Sequence, residues 1–164
     1  MNRMRNKLWT GPLLVIVFFG FSACGSSNPD ISAYAQDSIL IIGLLEEDFE
    51  ITPEELLQLE CTSGGGTGQS EKAGTVEVYG PTIDTFLAEY EKSRSDFTKI
   101  RVTAKDAYKK VIWGEMLTDG EIIFSIANGA EPLTEGQKPM RFFIPDADSS
   151  YWVYGIIELE FVTE

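Results

Sequence analysis

The chain has 164 residues, of which 43% are hydrophobic, and it carries 26 acidic against 13 basic residues. This length corresponds to one domain of ordinary size, which can bury a sufficient core without disulfides or metals. The acidic excess disfavours binding to nucleic acid, because like charges repel. The sequence contains no histidine, so the commonest metal ligand and the commonest general base near neutral pH are both missing.

The N-terminal region has the composition of an export signal. Its basic residues lie between positions 3 and 7, and the apolar run 13–21 is shorter than the roughly 20 residues that span a membrane. The segment FSACG resembles the lipobox of bacterial lipoproteins, in which small residues precede a cysteine that is lipidated and becomes N-terminal. Here Cys24 is that cysteine, and Phe21 stands where leucine is usual. The alternative is a non-lipidated signal with a chance cysteine.

We therefore expect a lipoprotein signal at 1–23, a lipidated tether at 24–37 and a globular domain at 38–164. Lipidation at Cys24 predicts an exported protein, anchored to a membrane on its extracytoplasmic side. The signal has no adjacent arginine pair, so we expect export in an unfolded form. A cofactor inserted in the cytoplasm would be lost on this route.

Apolar runs and turn signals alternate along the rest of the chain. Strands are predicted at 38–45, 75–79, 99–104, 108–113, 121–127, 140–144 and 157–161. Short helices are predicted after the capping box that begins at Thr52 and after the N-cap Thr82. The glycine-rich stretch 63–70 lacks the lysine of a phosphate loop, and we predict a flexible hairpin or loop there. This pattern favours an α+β fold with a mixed, largely antiparallel sheet or barrel core and a few short helices.

Four segments, in this order, resemble the molybdopterin-binding domain of sulfite-oxidase-like oxidoreductases. TPEELLQL is similar to the family's first helix, and VEVYGPTIDTFLAEY is similar to its strand, glycine turn and helix. VTAKDAY resembles its V-x-x-x-D-G-Y turn. IANGAEPL, KPMRFFIP and YWV resemble its run of N-G-x-P-L, G-P-x-R-x-x-x-P and W-V. The resemblance runs from about Ile39 to Phe161 and implies the same fold.

The resemblance also implies where a metal would bind. The family's enzymes hold molybdenum through a cysteine between the first helix and the glycine turn, and Cys61 lies in this interval. However, Cys61 is not framed by the family's C-x-G-N-x pattern, and Ala107 replaces the glycine of the D-G-Y turn. Histidine, which usually helps to hold the pterin phosphate, is absent. We therefore expect a fold without a cofactor, in which Cys61 is a free thiol unless an unlipidated Cys24 forms a disulfide with it.

Five residues are candidates for ligand binding in the crevice that the family uses for its cofactor, and each also has a structural explanation. Arg141, in an apolar strand, either contacts an anionic ligand or pairs with a carboxylate such as Asp106. Asp106 and Tyr108 either line the crevice or belong to a turn in which the Asp satisfies its own backbone. Asn128 is interpreted as the positive-φ residue of its turn. Trp152 either stacks on a ligand or closes the core.

Two functions from different classes remain open. The first is a binding lipoprotein that uses the crevice or its rim for a small ligand or a protein partner in the envelope. The second is a molybdopterin-dependent oxidoreductase with Cys61 as the metal ligand. A third possibility is a structural subunit of a larger envelope redox complex. We assign no catalytic residue, because the sequence identifies no acid–base pair among its 26 acidic residues.

Overall fold

The computed structural model describes residues 28–67, 74–145 and 147–163 of the chain. Within these ranges, short helices and mostly antiparallel strands form an α+β fold, which confirms the predicted fold class. The strands are β1 (Ile39–Ile42), β2 (Phe49–Ile51), β3 (Cys61–Thr67), β4 (Thr75–Pro81), β5 (Lys99–Ala104), β6 (Lys109–Trp113), β7 (Ile123–Ser125), β8 (Ala127–Asn128), β9 (Glu131–Pro132), β10 (Arg141–Phe143) and β11 (Ile156–Val162). The α-helices are α1 (Pro53–Leu57), α2 (Ile83–Glu89) and α3 (Glu115–Thr118).

The predicted signal and the lipidation at Cys24 lie outside the described residues. No described helix is long and apolar enough to cross a membrane.

The largest sheet has five strands in the order β2-β1-β11-β5-β6. Strands β1 and β11 run parallel, with Ile41 opposite Leu159, and the other neighbours are antiparallel. The remaining described strands form a sheet of order β3-β4-β8-β9 and the pair β10-β7. A bridge between Thr82 and Ile123 joins β7 to the end of β4. Among the described strands the sheets are open, so the barrel that the sequence left as an alternative is not closed.

Local sequence explains where the first two helices begin. The Thr52 hydroxyl accepts a hydrogen bond from the Glu55 N–H, and the Glu55 carboxylate accepts one from the Thr52 N–H, as the predicted capping box requires. Thr82 caps α2 by accepting from the Thr85 N–H. The apolar face of α2 is fully buried at Phe86 and Leu87. Burying a side chain of this size contributes about 1.5–3 kcal/mol, which holds each short helix on the sheet.

The main core lies between the inner face of the five-stranded sheet and α2 with β7 and β10. Its centre is aromatic: the ring centroids of Phe86 and Phe124 are 5.2 Å apart, and those of Phe97 and Phe161 are 5.1 Å apart. A smaller cluster of Val78, Ile123, Phe143 and Trp152 lies beside it. This smaller cluster brings the region of Arg141 into contact with β3.

The prediction of a flexible loop at 63–70 is wrong for its first part. Residues up to Thr67 belong to β3, which pairs along its whole length with β4. A Cβ on Gly64 would lie 2.6 Å from the Ile123 side chain, and one on Gly66 would lie 3.1 Å from the Trp152 ring. The glycines are therefore required by close packing on the smaller cluster. Residues 68–73 lie outside the described part of the chain.

The predicted tether also differs from the structure. Ile31 and Tyr34 are buried, with 5% and 1% of their surfaces exposed, and they pack against Leu133. The Tyr34 hydroxyl donates to the Ile126 carbonyl at 2.8 Å and accepts from the Leu133 N–H at 2.9 Å. The packed chain therefore begins before the predicted boundary at Ser38. Lying outside the main apolar pattern, these residues gave no sequence signal of packing.

Candidate functional site

Three of the five ligand candidates line one surface depression. Asp106, Tyr108 and Trp152 meet there with Tyr154, around a volume of about 230 Å³. The β5–β6 turn supplies Asp106 and Tyr108, and the segment before β11 supplies the other two. The structure thus brings together residues that are more than 40 positions apart in the chain.

The wall formed by Asp106 and Tyr108 is a structured turn. The Asp106 carboxylate accepts a hydrogen bond from the Tyr108 N–H at 3.0 Å, which confirms that this Asp satisfies its own turn. The Tyr108 hydroxyl donates to the Ser150 carbonyl at 3.3 Å. Between them, Ala107 has a φ of 67°, a conformation that favours glycine. The family's glycine at this place therefore has a conformational reason, and the alanine is strained.

Trp152 belongs mainly to the core. Only 3% of its surface is exposed, its Nε1–H donates to the Ile144 carbonyl at 2.9 Å, and its ring lies 4.9 Å from that of Phe143. Its one polar group is thus satisfied inside the protein. A small part of the ring faces the depression, so any contact with a ligand is secondary to its packing.

Arg141 is among the most buried side chains of the described chain, with 1% of its surface exposed. Its Nη1 donates to the Asn128 Oδ1 at 2.6 Å. Its Nε and Nη2 are buried and have no hydrogen-bond partner among the described residues. The described ion pairs do not involve Arg141, so its predicted pairing with a carboxylate such as Asp106 is wrong within those residues.

The guanidinium of Arg141 lies between two aromatic rings. Its central carbon is 4.9 Å from the centroid of Tyr154 and 5.7 Å from that of Phe143. Burial lowers the pKa of Arg141, while the nearby Tyr154 hydroxyl opposes this change. Tyr154 is 42% exposed and also lines the depression, so it connects the buried charge to the surface. Sequence reasoning missed Tyr154, although it follows Trp152 by two residues, the spacing that places side chains on one side of an extended segment.

Asn128 has a different role from the one predicted. The left-handed residue of its turn is Gly129, with a φ of 61°, and Asn128 does not adopt a positive φ. Its Nδ2 donates to the Pro132 carbonyl at 3.2 Å and to the Gln137 Oε1 at 2.9 Å. Both amide hydrogens are therefore used, which turns the amide oxygen towards Arg141. Asn128 holds the guanidinium in place without neutralising its charge.

With this geometry established, comparisons with known proteins become informative. No protein-family model and no curated protein matches the chain. The structure is similar to the sulfane dehydrogenase SoxCD from Paracoccus pantotrophus, with a TM-score of 0.63 and 18% identity. The fold is sulfite-oxidase-like. The match covers 85% of this chain but only 41% of that chain, so the relationship is a distant one of fold alone.

Cys61 does not share a site with Arg141. It begins β3, whereas Arg141 is in β10, and strands β4 and β7 lie between them. At about 4.8 Å per strand this corresponds to a separation of roughly 14 Å. Burial raises the pKa of the Cys61 thiol, with a hydrogen bond to Tyr79 opposing it, so the thiolate that a metal needs is disfavoured. The residues present do not fit a molybdopterin held by Cys61 beside Arg141.

Proposed function

We propose that this protein is an exported lipoprotein whose sulfite-oxidase-like domain binds a small oxyanion at Arg141 and works without molybdopterin. The observation that carries this proposal is the pair of buried, unpartnered donors on Arg141 among the described residues. A buried donor without a partner costs about 1–3 kcal/mol, and more when it is charged. Such a cost is typical of a site that is completed by a ligand.

The vacant donors have the geometry of an oxyanion site. Nε–H and one Nη2–H point in parallel from the same edge of a guanidinium, and this fork matches two oxygens of a carboxylate, sulfate or phosphate. Arg94 shows this arrangement within the same chain, because its Nε and Nη2 bind the two oxygens of Asp84 at 2.7 and 2.6 Å. Arg141 presents the same edge with no described carboxylate against it. A small oxyanion would supply the missing oxygens.

The surroundings of Arg141 favour a small ligand over a pterin. Asn128 occupies Nη1, and the rings of Tyr154 and Phe143 lie beside the guanidinium. These neighbours leave one edge of the guanidinium for recognition. Tyr154, being half-exposed, is the side chain whose movement would admit an anion from the depression.

The binding proposal is tested by thermal unfolding in the presence of anions. Sulfate, phosphate and acetate are compared with chloride at constant ionic strength, using wild type, Arg141→Met and Arg101→Met. The Arg101 variant is the matched control, because it loses an arginine that is exposed and paired with Glu160. It also corrects for the general stabilisation by sulfate, which does not need a site. We expect a saturable anion effect that only Arg141→Met abolishes, and an equal effect in all three proteins would refute the proposal.

Two further measurements test the rest of the proposal. Molybdenum and oxidised pterin are determined on protein purified from its own host, and about one metal per chain, lost in Cys61→Ala, would establish the oxidoreductase instead. Membrane fractionation of Cys24→Ala tests the lipid anchor. We expect this variant to leave the membrane fraction, and its continued retention would contradict lipidation at Cys24.

A further inference from the structure

The β5–β6 hairpin differs in charge from the rest of the protein. Residues 99–113 contain five basic residues and one acidic residue, a net charge of +4, in a chain of net charge −13. Arg101 is paired with Glu160, but Lys99, Lys105 and Lys109 have no ion-pair partner among the described residues. The hairpin is therefore the one basic surface that we find on the described part of an acidic protein.

Strand β6 lies at an edge of the five-stranded sheet. The bond from the Ala104 N–H to the Tyr108 carbonyl, at 2.9 Å, fixes which backbone groups face β5. Since antiparallel pairs alternate, the N–H and C=O groups of Lys109, Val111 and Trp113 point to the free edge. An extended chain that adds to this edge would find these groups ready to form a ladder.

The side chains of the same three residues argue against a purely protective edge. Lysines on an edge strand commonly prevent sheets from joining. A strand that only repelled other chains would not expose large apolar groups, yet Trp113 is 68% exposed and Val111 is 40% exposed. A shallow groove of about 340 Å³, lined by Trp113, Met116 and Tyr151, lies at the end of β6. The edge therefore combines positive charge with apolar contact area.

The geometry points to an extended, acidic segment of a partner protein as the occupant of the β6 edge, where we propose that it adds as a sixth strand. Its carboxylates would face the hairpin lysines, and one apolar side chain would enter the groove beside Trp113. An anionic membrane fits less well. On the same face of the sheet, Glu158 and Glu160 lie on the neighbouring strand β11, directly across β5, and would meet a flat bilayer. A linear ligand that follows β6 avoids them.

The test uses labelled octapeptides and the full chain in detergent. The pool has glutamate at alternate positions with varied apolar residues between, and fluorescence anisotropy is measured. A lysine pool tests charge, and an acidic pool with methylated backbone nitrogens tests the ladder. Lys109→Glu is compared with Lys92→Glu, which reverses another exposed lysine. Trp113→Ala is compared with Leu45→Ala, which truncates another exposed apolar residue.

We expect the acidic pool to bind and both control pools to fail. Lys109→Glu should weaken binding about tenfold, because it removes one attraction and adds a repulsion, while Lys92→Glu should change it little. Trp113→Ala should weaken binding more than Leu45→Ala does. Equal binding of the lysine or methylated pools, equal effects of a variant and its control, or no binding below 1 mM peptide, taken as about −4 kcal/mol, would overturn the proposal.

Two other occupants are tested in parallel. Vesicles with 30% phosphatidylglycerol are sedimented with full-chain protein carrying Cys24→Ala, and retention that Lys109→Glu abolishes would overturn the peptide in favour of lipid. Sedimentation velocity tests a second copy of the chain, whose acidic strand β2 forms the opposite edge of the sheet. Self-association abolished by Lys109→Glu would overturn the partner segment.

Discussion

Replacing Arg141 by methionine separates a functional arginine from a structural one. Methionine keeps the length and the apolar stem of the side chain but removes the charge and all its donors. If the guanidinium were satisfied inside the protein, breaking its contacts would cost about 3–5 kcal/mol. Because two of its nitrogens are buried without a described partner, the expected cost is much smaller.

The magnitude follows from the contacts of the guanidinium. Removing two unmatched donors gains about 2–6 kcal/mol, at about 1–3 kcal/mol each. Losing the hydrogen bond to Asn128 costs about 1.5–3 kcal/mol, since the donor is charged. Losing the stacking on Tyr154 and Phe143 costs about 0.5–1 kcal/mol each. The balance lies between about 0 and 2 kcal/mol in favour of methionine in the absence of an anion.

The assay is urea unfolding of protein that has been unfolded and refolded in chloride buffer, which removes any anion carried from the cell. We expect the Arg141→Met variant to be at least as stable as wild type in chloride. In an anion at 100 times its dissociation constant, wild type should gain about 2.7 kcal/mol and overtake the variant. Arg101→Met should follow wild type in both buffers.

A different result would refute this reasoning. If Arg141→Met lost about 3 kcal/mol or more in chloride, the guanidinium would have to be satisfied without an anion. This difference corresponds to roughly 10 °C in the melting temperature of a domain of this size, so it is easily measured. A stable variant that kept the anion effect would instead place the anion elsewhere.

Three other substitutions or reactions probe neighbouring features. Tyr34→Phe should lose about 1–3 kcal/mol in urea unfolding, because it leaves the Ile126 carbonyl and the Leu133 N–H buried without a partner. Ala107→Gly should gain about 0.5–1 kcal/mol by relieving its positive φ, whereas Ala88→Gly in helix α2 should lose about 1 kcal/mol. Cys61 should react with iodoacetamide at pH 8 more slowly than free cysteine, because burial raises its pKa and keeps it protonated; peptide mass spectrometry follows the modification, and unfolding should remove the protection.

The sequence predicted the elements whose formation is local. The cap at Thr52 and the apolar stripe of the second helix depend on neighbouring residues, and both helices are present. The alternation of Ile157 to Phe161 likewise predicted the last strand. Strand β3 was missed because its glycines have no intrinsic preference for strands. Their conformation is fixed by contacts with Ile123 and Trp152, far along the chain.

The candidate site was predicted in its members but not in its arrangement. The residue types placed Arg141 in a buried strand and Asp106 in a turn, and both positions are correct. Whether an arginine finds a carboxylate depends on the residues that folding brings to it. The same limit applies to Asn128, whose amide is oriented by Gln137 from a separate loop. Tyr154 was missed because contact with a cation has no sequence signal.

The two proposed binding surfaces share one segment of the chain, 148–154. The Tyr108 hydroxyl and the Lys110 ammonium both donate to Ser150, and Lys110 lies 3.5 Å from the centre of the Tyr151 ring. Three residues further on, Tyr154 stacks on Arg141. A peptide carboxylate at the β6 edge would compete for Lys110 and release the segment that holds Tyr154.

We therefore expect the acidic peptide to change the affinity for the anion. Linkage requires that the anion change the affinity for the peptide by the same factor. Anion titrations of the full chain with and without saturating peptide measure this factor. Ser150→Ala retains the backbone carbonyl but removes the hydroxyl that binds Lys110, so it should reduce the coupling while leaving each site intact. Identical anion affinities with and without bound peptide would show that the segment does not connect the two surfaces.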